Sequence, residues 1–123
     1  MNILIIIVIM SGWASQYDPG IMERTIRVQQ HYGHLPERLP SVDGYVAVED
    51  CRRIGQTILA RPLGAKRWDR LLITDCSGSK ETSRWMLWNN ILIEVDHLTA
   101  KRWKTVGHGI RIEVGVRTER GLE

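Results

Sequence analysis

Few residues in this chain are of a type and placement to do chemistry at a chosen point. Asp75 ends the stretch RLLITDCSG, residues 70–78, where Leu71, Leu72, Ile73 and Thr74 lead straight into an acid, a cysteine and a glycine. A carboxylate at the end of a core strand has two uses: it accepts turn N–H groups, or it faces a substrate. Asp50 lies in a parallel setting, VAVEDC, and is either a second carboxylate or a turn cap. Cys51 and Cys76 are the whole thiol inventory, and each follows an acid at the end of a strand-like run. If those two strands pair, the sulfurs come within bridging distance; the other reading is two buried, reduced thiols. His31 and His34 form an H-x-x-H pair, while His97 and His108 stand alone. A zinc site needs three or more protein ligands in a defined arrangement, and no third is supplied, so neither a metal nor a cofactor is expected.

These residues need elements to hold them. Six stretches have strand character: Gly12–Tyr17, Gly44–Glu49, Thr57–Arg61, Trp68–Asp75, Ile91–Val95 and Ile110–Val116. In the last, Ile110, Ile112, Val114 and Val116 alternate with Arg111, Glu113 and Gly115, a period of two. Two stretches read as helices. DPGIMERTIRVQQHYG has Asp18 as N-cap, Pro19 in the first turn and Gly33 at its close. DHLTAKRW is capped by Asp96 and places Leu98 near Trp103. CSGSKETS and the other polar stretches read as turns. Six short strands and two short helices suggest a closed β-barrel, because closure removes exposed edges.

The chain has 123 residues, so one domain is expected. Its net charge is +3, and the basic residues are scattered, without the Lys/Arg block and interleaved aromatics of a nucleic-acid binder. Attraction to an anionic polymer such as a cell wall remains open. Residues 1–11 hold an eight-residue apolar run, Ile3 to Met10. That is too short to span a bilayer, and it reads as an export signal, a short anchor or a first buried strand. Residues 12–116 form the domain and residues 117–123 a polar tail.

The ordered pieces resemble a known family. GWASQYDPG is similar to the opening strand of rare-lipoprotein-A-like domains, GYVAVEDC and WDRLLITDC to their central strands, NNILIEVDHLTAKRW to a strand ending in an Asp-capped helix, and GHGIRIEV to the closing strand. The resemblance implies a mainly β fold, a six-stranded double-psi β-barrel with two short helices. It also implies an extracellular or envelope location and, as partner, a cell-wall polysaccharide of the peptidoglycan kind. A monomer is expected, with no nucleic acid and no membrane span. It implies a role for Asp75, as the strand-end proton donor of a lytic transglycosylase or glycosidase. Breaking a glycosidic bond needs a carboxyl that stays protonated, and an apolar strand end favours that form. After the acid this chain has Cys76-Ser77-Gly78, where those enzymes carry Arg-Gly-Pro.

Other binding residues follow from the same reading. Tyr17 stacks on or bonds a sugar, or else closes the core. Asp18 lines the groove, or else caps its helix. Asp50 is the second carboxylate across the cleft. Of five tryptophans, Trp68 and Trp103 read as core, while Trp85 and Trp88 border the cleft or, three apart, pack inward from one helical turn. The competing reading, from another class, is a non-catalytic barrel of the barwin or expansin kind that binds glycan or protein.

Overall fold

The computed structural model describes residues 2–121. The fold is mainly β. Strands β1 (Asn2–Gln16), β2 (Gly44–Val48), β3 (Thr57–Pro62), β4 (Asp69–Cys76), β5 (Ile91–Val95) and β6 (Ile110–Gly121) are hydrogen-bonded in a closed ring, in the order β1-β5-β2-β4-β3-β6. Two neighbouring pairs, β1/β5 and β2/β4, run parallel, and the others antiparallel. Three helices, α1 (Ile21–His31), α2 (Lys80–Trp88) and α3 (His97–Arg102), fill connections, together with a single 3₁₀ turn at Cys51–Arg53.

The period-two patterns explain the core. Val46 and Val48, Leu71 and Ile73, Ile93 and Val95, and Ile112 and Val114 are buried in one cluster with Trp103. The alternate residues form the outer face. There α1 buries Met22 and Ile26 beside Leu35, with Tyr17 and Tyr45 packed against them. Thr74, wholly buried, donates its hydroxyl to Met22 Sδ at 3.1 Å. Gly44 lets α3 close on β2: a Cβ there would overlap Thr99 Oγ1 and lie 2.9 Å from Asp96 Oδ1. Asp96 ties the same joint, accepting from Tyr45 N at 2.9 Å and capping α3 through Thr99 N at 3.3 Å.

Several local expectations change. The polar stretch read as a turn contains a third helix, because Ser79 caps it by accepting from Thr82 N at 3.1 Å. Helix α1 begins at Ile21 behind Gly20, whose φ of 82° suits glycine alone, so Asp18 supplies no side-chain cap. Trp68 precedes β4 and is half-buried, with the Arg61 guanidinium 4.2 Å from its ring centre. Leu98 is exposed, and Thr99 and Ala100 are the buried residues of α3. Residues 2–11 belong to β1 and pair with β6, which runs on to Gly121. Within this run Ile7, Val8, Ile9 and Met10 are all about half exposed, so these four do not form a buried strand.

Candidate functional site

The site begins with a break in register. Between β2 and β4, Val46 pairs with Ile73 but Ala47 pairs with Asp75, so Thr74 is the extra residue of a β-bulge. A bulge re-aims the side chain that follows it. Ala47 is also the partner of Glu94 on β5, and Glu94 is the partner of Ser15 on β1. Asp75, Ala47, Glu94 and Ser15 therefore form one row across four strands. Adjacent strands lie about 4.8 Å apart, which sets the Asp75 and Glu94 backbones roughly 10 Å from each other. The residue between them is an alanine, so only a methyl group separates two carboxylate-bearing positions.

Tyr17 closes the cluster. The chain leaves β1 with Tyr17 N donating to Val95 O at 2.8 Å, and the phenol donates to Asp75 Oδ2 at 2.7 Å. Burial, then the hydrogen bond to Asp75 and the charges of Asp75 and Glu94, hold this phenol well above its ordinary range. It therefore remains a donor at any physiological pH. Glu94 is displaced in the same sense. Burial first, and the neighbouring Asp75 charge second, raise its carboxyl above the usual value, while the adjacent Ser15 hydroxyl opposes the shift. Ser15 Oγ itself is shut off from solvent and, among the described residues, completes no well-formed hydrogen bond. Two carboxyls in one row, one raised by burial and the other accepting a hydrogen bond from a phenol, can divide acid and base roles.

Beside Ser15 opens a cavity of about 390 Å³, lined by Gln16, Asp18, Pro19, His97 and His108 among others. The sequence left His97 and His108 apart; the fold brings both to this cavity. Asp18 lines it too, as an exposed residue whose carbonyl accepts from Ile21 N at 3.2 Å.

Asp50 does not join the row. It caps the Cys51–Arg53 turn and binds Arg52 at 2.9 Å, which pulls its carboxyl down to about 2. Trp85 and Trp88 stand on α2 and are 49% and 90% exposed, whereas Met86 between them is buried, so the indoles do not pack inward. Cys51 and Cys76 form a disulfide with Cα atoms 4.9 Å apart, which ties the residue after Asp75 to the 3₁₀ turn. His34 is occupied with Gln29 at 2.7 Å, and among the described residues no three His, Cys, Asp or Glu side chains are grouped to hold a metal.

Glu94 was missed by sequence reasoning. The alternation in ILIEV already turns Ile91, Ile93 and Val95 one way and Glu94 the other, but only the strand order reveals that Asp75 shares its row. No family model matches the sequence, and no curated protein does.

Proposed function

We propose that this chain is a double-psi β-barrel domain of the rare-lipoprotein-A type that cleaves a cell-wall glycan outside the cytoplasm. The observation that carries the proposal is the row Asp75–Ala47–Glu94 bridged by the Tyr17 phenol. A closed ring of six strands containing two parallel pairs is what such a barrel requires. The Cys51–Cys76 bridge suits an oxidising compartment. Among the described residues no helix is long and apolar enough to cross a membrane.

In this reading the roles are divided. Glu94 gives its proton to the glycosidic oxygen as the bond from that oxygen to the anomeric carbon breaks. An attacking hydroxyl, from water or from the sugar itself, adds to the anomeric carbon and passes its proton to Asp75. The separation of the two carboxyl groups decides between an inverting pair, with water between them, and a retaining one. Tyr17 orients Asp75, and the cavity lined by His97 and His108 offers room for a neighbouring sugar ring.

The test compares wild type, Asp75→Asn and Glu94→Gln on purified peptidoglycan, with soluble products identified by mass spectrometry. Reducing-end products from wild type alone indicate hydrolysis, and anhydro-sugar products indicate a transglycosylase. If neither forms, cleavage of this substrate is ruled out; if both variants retain the wild-type rate, the Asp75–Glu94 row is not the site of cleavage. The exposed indoles of Trp85 and Trp88 favour a second reading, a binding module that stacks sugar rings on α2 without cutting them. Retention on peptidoglycan that is lost in Trp88→Ala, with no products formed, would select it.

A further inference from the structure

On the other side of β4 from this row, a groove of about 650 Å³ crosses β3 and β6, and among the described residues its lining contains three arginines and no acid. Arg53 reaches it from the 3₁₀ turn, Arg70 from β4 and Arg117 from β6, with Gln56 and Thr57 as neutral polar neighbours. Ion pairing elsewhere does not reach these three. Arg52 is matched by Asp50, Arg61 by Glu113, and both Arg67 and Arg102 by Asp69. Among the described residues no carboxylate pairs with Arg53, Arg70 or Arg117. The Arg70 head group donates to the Ser41 carbonyl at 3.4 Å, while Asp43 is engaged by the Arg70 backbone N–H and by the Arg67 guanidinium.

Three guanidinium groups around one concavity repel each other unless an anion joins them, and their planar forks match phosphate oxygens. The register gives the scale. Arg70 pairs with Leu59, and Leu59 with Gly115, two residues before Arg117. Arg70 and Arg117 thus stand two strand spacings across and two residues along from each other, about 12 Å apart at the backbone, so the three head groups border a span wide enough for more than one phosphate. From this we infer that the groove binds a polyanion carrying phosphate groups in series, either a free polyphosphate or a phosphodiester polymer. The site is separate from the carboxylate row and does not depend on glycan cleavage.

Calorimetric titration of the full chain with tripolyphosphate, at low and at physiological salt, is the test. Binding should weaken about tenfold in each of Arg53→Gln, Arg70→Gln and Arg117→Gln, the worth of one charge-assisted contact. Asp75→Asn, and a Lys66→Gln/Lys104→Gln control that removes two charges outside the groove, should leave it unchanged. A poly(glycerol phosphate) oligomer that binds more tightly than tripolyphosphate identifies a phosphodiester ligand, and the reverse order identifies polyphosphate. The inference is overturned by an equal loss in the lysine control, by triglutamate binding as tightly, by inorganic phosphate alone matching tripolyphosphate, or by no binding of any phosphate probe.

Discussion

At the scale of single residues, the carboxylate row stores an unfavourable interaction. The Glu94 carboxyl is raised in the folded chain, so its ionisation opposes folding. That penalty is absent below the ordinary glutamate value and grows as pH rises through the raised one. Glu94→Gln should therefore stabilise the protein at pH 7, by about 0.5–1 kcal/mol for a partly screened group. The gain should vanish near pH 3–4, as read by urea unfolding at both pH values. Tyr17→Phe has the opposite effect: it removes the 2.7 Å bond to Asp75 and should cost about 1 kcal/mol at neutral pH, which the same unfolding curves would report. The sequence displayed Asp75 and Tyr17 as separate features, because strand-end acids and aromatic residues announce themselves locally. Their bond, across a separation of 58 residues, is a property of the ring and has no local signal. Asp50 shows the converse, since its turn-capping role is local and was one of the two uses read from VAVEDC.

At the scale of elements, two joints hold the site in place. The disulfide closes a loop of 25 residues and fixes the end of β4 just beyond Asp75. On the chain-entropy model its loss should cost about 3.5 kcal/mol, measured as the difference in urea unfolding between the Cys51→Ser/Cys76→Ser variant and wild type. Gly44 is the second joint. With Thr99 Oγ1 already in the space a Cβ would need, Gly44→Ala should force α3 away from β2 and destabilise by about 2 kcal/mol or more, readable in a thermal melt. Each strand was legible to within a residue or two, except at the outer ends of β1 and β6, because alternation of apolar residues is a direct imprint of a sheet with one buried face. Helix α2 was not. It buries Met86 alone and leaves Trp85, Leu87 and Trp88 exposed, so its apolar residues trace no inward stripe.

At the scale of the whole molecule, the ring is closed by the first and last strands, β1 against β6. The part that closure needs is limited. Met10 to Ala14 meet Val114 to Ile110, while β3 holds the far edge of β6 between Ile112 and Gly115. Residues 2–7 extend the ribbon past Gly115, the last β3 partner, while Val8 pairs with Gly115 itself and Ile9 lines the arginine groove. Deleting residues 1–7 should therefore keep the far-UV circular dichroism of the ring and shift the melting temperature by only a few degrees. Loss of cooperative unfolding in that variant would mean that the ribbon is integral to closure.

The order of the strands also has a consequence in time. β1 leaves the ribosome first, yet β6, its principal partner, follows only after residues 17–109. At ~5–20 residues per second that interval lasts roughly 5–20 s, during which an apolar strand has no partner along most of its length. The ring stays unclosed throughout that interval, the state in which a polypeptide can be held by a chaperone or threaded through a narrow translocation channel.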